Sequence, residues 1–476
     1  MFAIKKIVLG VAAAAALSAC SMAPKYAQPQ VETGPFPVVS GSLNPSGQVA
    51  ATRLGWQDYF ADARLQALMA LALENNRDLR VAALNVEAVR AQYAIARADR
   101  LPALGATGTG NKGRVAQQDL SGAVGQSYIT ESYTAGLGVA AFELDLFGRV
   151  KSLSDNALNQ YFAQTQNRDA AQISLIATVA KAYFAERSAQ ERMDLAARVL
   201  KSREESKKLT DLKFKSGVIS AIDVRVAETQ IETARADYAV AEQARTQART
   251  ALALLIGQPL PDNLPAGASL DAQFVNAELP VGLPSEILYQ RPDVRAAEFA
   301  LKGANANIGA ARAAFFPRIT LTGSIGSGST ELSGLFTGGN STWSFMPQIS
   351  LPIFTWGQNK ANLDLATVRK NIAVAQYEQT VQAAFKDVAD ALSARGTLQR
   401  QYQAQQNSAR AQADRYRLVN MRFSHGISSS LELLDAERDS YSAQQALLAT
   451  RQTLLENRAD VYKVLGGGLQ TQTVAE

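Results

Sequence analysis

The chain offers little for covalent chemistry. It holds one cysteine, Cys20, and one histidine, His425. A disulfide within the chain is impossible. The same scarcity argues against a Cys/His metal cluster and against any nucleophile triad that needs a second histidine. Neither a P-loop pattern nor HExxH is present, and the glycine-rich run 105–113 follows no clear strand and lacks the Lys-Ser/Thr ending of a phosphate cradle. What remains is a set of charged side chains beside two glycine turns. Asp223 follows Ser220 by three residues and Glu432 follows Ser429 by three, the spacing of a capping box. Asp435 is not explained by a cap. Leu431 lies four residues before it, on the same helical face. His425 sits in the second turn and reads as a solvated loop residue. These residues suit helix ends, and no catalytic constellation accompanies them.

The elements that place them occur twice. Phe214, Gly217, Ser220, Asp223, Ala227 and Glu228 recur at an offset of 209 as Phe423, Gly426, Ser429, Glu432, Ala436 and Glu437. Helical sequence flanks both copies, so each reads as a turn between two long antiparallel helices, with Gly217 and Gly426 just past a helix C-terminus. At the position of Asp435 the first copy has the apolar Val226. Earlier in the chain, Asp78, Arg80, Ala91, Arg97, Pro102 and Gly108 recur at an offset of 215 as Asp293, Arg295, Ala306, Arg312, Pro317 and Gly323. The repeat therefore covers about 56–257 against 284–466. The change of offset places a six-residue surplus between Gly108 and Gly148, for which a surface loop is the natural place.

Between Pro102 and Gly148 helical periodicity gives way to alternation. Tyr133, Ala135, Leu137 and Val139 alternate with Thr134, Gly136 and Gly138, and at Phe142 the parity flips, predicting a bend or bulge. Ile319, Leu321 and Ile325, then Trp343, Phe345 and Ile349, alternate likewise in the second half. Each half thus holds two strands, near 103–147 and 318–356, joined by polar loops at about 111–131 and 328–341. Aromatics toward the strand ends, among them Tyr128, Phe147, Trp343 and Trp356, resemble the girdle of a membrane barrel. A soluble two-sided sheet is the alternative. After Gly148 comes a helix of about 67 residues, on the order of 100 Å long. Helices at 77–101 and 221–256 together nearly match its length, so stacked end to end they could lie beside it. Helices at 292–316, 357–424 and 431–465 repeat the arithmetic. Ala227, Ala234, Ala241, Ala248 and Leu255, with Ile231, Tyr238 and Leu252, form a coiled-coil seam interrupted by Arg245. Prolines at 259, 261, 265 and 280 mark 258–283 as a linker, and 467–476 reads as a loose tail.

The N-terminus reads as an export signal over 1–19. Lys5 and Lys6 precede an apolar core too short to span a bilayer. It ends in Leu17-Ser18-Ala19-Cys20, which resembles the bacterial lipobox and would leave Cys20 as a lipidated N-terminus carrying N-acyl and S-diacylglycerol groups. Ser21 favours sorting to the outer membrane. Residues 20–55, with five prolines, read as an extended tether. The net charge is +5, of which Lys5 and Lys6 supply two, and no basic block suggests nucleic acid. The expected fold is mainly α with a membrane β-barrel: a duplicated half giving four strands and long coiled-coil-like helices per chain.

Four strands cannot close a membrane barrel, so membrane strands here would require several copies of the chain. At this point the sequence resembles the TolC-like outer membrane factors, most closely the lipidated OprM type of multidrug efflux systems. The likeness rests on the lipobox, the entry 56–60, both Pro-terminated helix-to-strand junctions and Leu144-Asp145-Leu146-Phe147-Gly148. It extends through both hairpin tips, Leu431-Glu432-Leu433-Leu434-Asp435-Ala436, and the ending 462–468. The resemblance implies a homotrimer sharing a 12-stranded barrel and an α-helical tunnel closed at its periplasmic tip. The implied partners are a periplasmic adaptor and an inner-membrane pump of the resistance-nodulation-division class. It also implies a periplasmic gate at Leu431 and Asp435, with Glu432, Asp223 and Arg422 beside it. Adaptor docking would fall at Gly217, Val218, Gly426 and Ile427. For Asp223 and Glu432 capping competes with gating, and for Leu431 and Asp435 plain tip packing competes. Phe423 stands where the family often has tyrosine, so that phenolic hydrogen bond is missing. The outer-membrane partner of a type I secretion system would share this fold. A periplasmic adaptor lipoprotein would show one hairpin rather than two.

Lipidation is checked by the mass of the mature N-terminal peptide. Acyl groups on Cys20 are expected, and an unmodified Cys20 or cleavage elsewhere refutes the expectation.

Overall fold

The computed structural model describes residues 21–32, 34, 53–115, 127–272, 274–275 and 285–473. The signal sequence, Cys20 and most of the tether lie outside these. Eight α-helices and four strands occur among the described residues. In chain order they are α1 (Trp56–Tyr59), α2 (Ala63–Asn75), α3 (Arg77–Ala98), β1 (Leu104–Val115), β2 (Tyr128–Leu144), α4 (Arg149–Lys215), α5 (Ala221–Ile256), α6 (Pro292–Ala313), β3 (Arg318–Ser329), β4 (Ser341–Ser350), α7 (Gln358–Ser424) and α8 (Ser430–Val464). The helices α4 and α7 each have 67 residues, as their proline-free sequences predict. Two compact units emerge, and they do not follow the halves of the repeat. One comprises Met1–Pro29, Val86–Gln164 and Ala296–Tyr377; the other comprises Gln30–Asn85, Thr165–Arg295 and Glu378–Glu476.

The first unit contains the sheet, antiparallel throughout in the order β1-β2-β3-β4. The glycine-rich run 105–113 lies within β1. Cross-strand register sorts the two faces. Leu104, Leu137, Val139, Ile325, Trp343 and Phe345 share one face, while Thr107, Thr134, Gly136, Ser324 and Ser344 share the other. On the polar face Thr109 and Thr134 hydroxyls lie 2.6 Å apart, and Ser324 and Ser344 hydroxyls 2.8 Å. The parity flip has its cause in a register shift between Val139 and Phe142, with Ala141 at φ 51°. The shift returns Phe142 and Leu144 to the apolar face, opposite Leu321 and Ile319, and puts Glu143 on the polar face, where Arg149 and Arg318 both reach its carboxylate. Trp343 is 78% exposed and Ile349 69%, so among the described residues nothing covers this part of the apolar face.

Two sequence expectations change here. The first loop is shorter than 111–131, because pairing continues to Val115↔Tyr128, while the second falls between Ser329 and Ser341, close to the expected 328–341. An ion pair between Lys112 and Glu131 helps hold the extended ladder. The six-residue surplus of the first half lies mainly in a strand, not a loop: β2 has 17 residues against 10 in β4. A ladder absorbs extra residues when each new pair satisfies its own backbone groups.

The second unit is helical. Leu65, Leu68, Met69 and Ala72 of α2 are buried, as are Ile176, Val179, Ala180, Tyr183 and Phe184 of α4. Their spacing of three and four residues is the apolar stripe of a packed helix. The α5 seam buries Ile231, Ala234 and Leu252, and Arg245 interrupts it with a buried Nε. The linker is fastened through its backbone: Arg64 donates to the Pro265 carbonyl at 3.0 Å and Arg187 to Ala268 at 2.9 Å, while Glu191 accepts from the Leu270 amide at 2.6 Å.

The tail is not loose over its described residues. The Trp56 and Gln57 amides donate to the Gln470 and Thr471 carbonyls at 3.0 and 3.2 Å, and Asp58 accepts from the Thr473 amide and hydroxyl. Tyr59 and Tyr462 stack with centroids 4.2 Å apart. The Tyr462 hydroxyl donates to the Leu54 carbonyl at 2.6 Å and the Tyr59 hydroxyl to Arg458 at 2.8 Å. Burial pushes both phenols well above the ordinary tyrosine range. Removing one hydroxyl leaves a buried carbonyl unpaired, so Tyr462→Phe should destabilise the folded chain by about 1–3 kcal/mol. Thermal unfolding in detergent measures it, and amide exchange over 53–60 should rise in parallel. A variant indistinguishable from the parent would show that the stacked ring alone holds this junction.

Candidate gate and docking tips

Both hairpin tips belong to the second unit and are built alike. At the first, α4 ends in a Schellman turn: the Val218 amide donates to the Lys213 carbonyl at 3.0 Å and the Gly217 amide to Phe214 at 2.9 Å. At the second, Ile427 donates to Arg422 at 2.9 Å and Gly426 to Phe423 at 3.0 Å. The turn needs a positive φ, and Gly217 and Gly426 supply 71° and 74°. In this motif the residue after the glycine often folds back onto the helix. Here Val218 and Ile427 instead stand 69% and 68% exposed, so each tip presents one aliphatic side chain outward. His425 is less idle than a solvated loop residue. Its Nδ1 lies 2.7 Å from the Met421 carbonyl, which places the hydrogen on Nδ1 and satisfies one of the last carbonyls of α7.

The caps differ. Ser220 and Asp223 form the full reciprocal box: the Ser220 hydroxyl accepts from the Asp223 amide, and the Asp223 carboxylate accepts from the Ser220 amide at 3.0 Å and its hydroxyl at 2.9 Å. At the second tip only half forms. Ser429 accepts from the Glu432 amide at 3.2 Å, and among the described residues no bond returns from the Ser429 amide to Glu432. The Glu432 carboxylate is therefore free of capping duty, whereas Asp223 is not.

Leu431 and Asp435 lie on the first turns of α8. Leu431 is 67% exposed, although it is a leucine on an otherwise seamed helix. Asp435 pairs with Arg438 at 3.2 Å, and Arg438 also reaches Asp439 at 3.5 Å, which in turn pairs with Arg415 at 2.8 Å. Arg422 is exposed, and no ion pair for its guanidinium occurs among the described residues. The charge balancing Asp435 within the chain is thus Arg438, one turn along the same helix, rather than Arg422. The Phe423 ring has a partner of its own. Lys213 Nζ lies 5.0 Å from the centroid of the Phe423 ring, a cation–π contact between the end of α4 and the end of α7.

Sequence reasoning overlooked one tie between the hairpins. Glu437 of α8 pairs with Arg203 of α4 at 3.1 Å, both side chains about nine-tenths buried. Burial raises the Glu437 carboxyl above its ordinary value, and Arg203 opposes that rise without cancelling it. The repeat counterpart, Glu228, is half exposed and pairs with Arg225 at 2.6 Å and Lys207 at 3.8 Å. The signal was in the repeat itself, where an acid recurs at a position the cap does not use.

Two long helical hairpins joined to four strands, with an apolar and a polar sheet face and two unpaired sheet edges, define a duplicated membrane-channel subunit. The chain belongs to the outer membrane efflux protein family, which it matches over residues 68–258 and 283–467. It is 47% identical over 459 residues to the toluene efflux pump outer membrane protein TtgC of Pseudomonas putida, covering 96% of this chain and 94% of that protein. With the outer membrane protein OprJ of Pseudomonas aeruginosa it shares 43% over 474 residues, 98% and 97% of the two chains. Among solved structures it is similar to the open state of the Neisseria gonorrhoeae MtrE outer membrane channel. That match has 53% identity and a TM-score of 0.88, covering 96% of this chain and all of that one.

The raised Glu437 carboxyl gives a pH dependence with a definite sign. The folded chain holds this proton to a higher pH than the unfolded chain does, so the burial cost appears as pH rises from the ordinary glutamate value through the raised one. Stability of the parent relative to Glu437→Gln should therefore fall as pH rises through that window and level off on either side. Thermal unfolding of both proteins across a pH series checks it, and parallel curves would refute it.

Proposed function

We propose that this chain is the outer membrane channel of a tripartite efflux system, a passive conduit for drugs or other small molecules delivered by a periplasmic adaptor and an inner-membrane pump. One observation carries the reading: in a chain of this family, a four-stranded sheet has one apolar face and both edges unpaired. An unpaired edge in hydrocarbon costs several kcal/mol per orphaned group, so the strands need further copies of the chain to close. Three copies would give the twelve-stranded barrel of a homotrimer with a helical tunnel. The apolar face would meet lipid and the threonine, serine and glycine face would line water. Among the described residues no helix is long and apolar enough to cross a membrane. Lipid on Cys20 adds a second anchor. Two relatives are named for efflux pumps of toluene and antibiotics, which favours efflux over type I secretion. The pump is of the resistance-nodulation-division class in this reading, and it supplies the energy.

The tips carry the regulation. Leu431 is exposed in the single chain and would form an apolar ring on the threefold axis. Three Asp435 carboxylates nearby would attract cations, each partly balanced by its own Arg438. Val218 and Ile427, held outward by Gly217 and Gly426, are the natural anchors for an adaptor. Asp223 serves the cap first.

Single-channel conductance in planar bilayers tests the gate. Replacing Leu431 and Asp435 together with alanine should give larger or more frequent openings and weaker block by divalent cations, in a protein that still runs as a trimer. Unchanged conductance and block would reduce both residues to tip packing.

A further inference from the structure

The residues after Cys20 do not hang free. The segment 21–28 lies along α6 in the first unit, held through two of its backbone carbonyls and the side chains of Ser21, Tyr26 and Gln28. Asn305 donates to the Pro24 carbonyl at 2.8 Å and Arg312 to the Met22 carbonyl at 3.2 Å. Tyr26 donates to Glu298 at 3.3 Å, and its ring sits under Lys302 Nζ at 5.3 Å. Gln28 donates to the Tyr377 hydroxyl at 2.9 Å. The Ser21 hydroxyl lies 3.5 Å from that of Ser152 on α4. Gly309 makes room for this path, since a Cβ there would come within 2.7 Å of the Ala23 amide nitrogen and 2.5 Å of the Ser152 hydroxyl.

This path leads to a groove of about 500 Å³ lined by Met22, Phe315, Phe316, Leu363 and the stem of Arg312. The two phenylalanines stand about two-fifths exposed at the end of α6, immediately before β3. Large apolar rings left open beside a fixed strand end call for an apolar occupant. The described chain begins at Ser21, next to Met22 of the groove wall, and one trans peptide step spans only about 3.8 Å, so a group attached one residue earlier would be within reach of the groove. We propose that the groove is the seat of an acyl chain borne by Cys20 itself, so that the lipid is held against the protein at the helix-to-strand junction rather than released wholly into the bilayer. This rests on the lipidation of Cys20 proposed above. The docked segment sets where the chain enters, and the phenylalanine walls bury its first methylenes.

The test uses the full chain purified from cells fed a fatty acid bearing a photoreactive diazirine, which enters both the lipoprotein and the membrane phospholipids. After illumination and tryptic digestion, a chain seated as proposed joins the N-terminal peptide 20–25 covalently to peptide 313–318. A free phospholipid in the groove would instead leave a single-peptide adduct on 313–318. The expected result is the two-peptide link, falling about tenfold in Gly309→Ala, where the added methyl displaces the segment; oligomer mobility on gels confirms that the variant still assembles. An acylated Cys20 that links only to phospholipid overturns the seat while leaving lipidation intact, as does a phospholipid adduct in place of the link. A link undiminished in Gly309→Ala, in an assembled protein, overturns the role of the docked segment. An unacylated 20–25 peptide overturns the lipidation on which the proposal rests.

Discussion

The unpaired backbone of two strand edges governs this molecule. Strands β1 and β4 each pair on one side only, and water can satisfy their free N–H and C=O groups where hydrocarbon cannot. The same limit explains the sheet's composition. With no described element covering the apolar face, the apolar side chains collect on one side and the small polar ones on the other. The irregularity around Ala141 preserves that sorting: without the shift, Phe142 and Leu144 would join the threonines and Glu143 would join Leu321. A bulge here is what lets a seventeen-residue strand keep one lipid-compatible face along its length.

The helical tips show how a duplicated device diverges. Both turns keep the glycine and the paired Schellman bonds, because without them the terminal carbonyls would be orphaned. Beyond the turn, the copies differ in how their acids are used. Asp223 is locked in a reciprocal cap while Glu432 is not, and Glu228 faces solvent while Glu437 is buried against Arg203. The second copy therefore leaves the Glu432 carboxylate out of the cap beside Leu431, while Glu437 is taken up by Arg203. Its Asp435 also replaces an apolar counterpart, Val226, at the same place in the first copy. In the proposed channel the second hairpin would form the constriction and the first would support it. The Lys213–Phe423 contact and the Arg203–Glu437 pair both run from α4 to the second hairpin, so the support is direct.

Much of this was legible in the residues. Proline-free runs bounded by Gly148 and Gly217 set the helix lengths; the Ser-x-x-acid pattern located the helix starts; and alternation marked β2, β3, β4 and the irregularity near Phe142, while the glycine-rich β1 carried no such signal. These signals act over a few residues through hydrogen bonding and steric limits, so the local chain alone determines them. Other features depended on which distant segments meet. The surplus of the first half went into β2 because β1 offered pairing partners at one end of it and β3 at the other. The tail 470–473 is bound because residues 55–58 offer it amides and a carboxylate, and 21–28 is docked because Gly309 leaves space. Glu437 is a buried partner rather than a surface acid because Arg203, more than two hundred residues earlier, lies opposite it. Burial of this kind arises only when chain-distant groups share one volume, so tertiary structure decided the partners of Phe423 and Glu437, whereas Asp435 pairs with Arg438 one turn along its own helix.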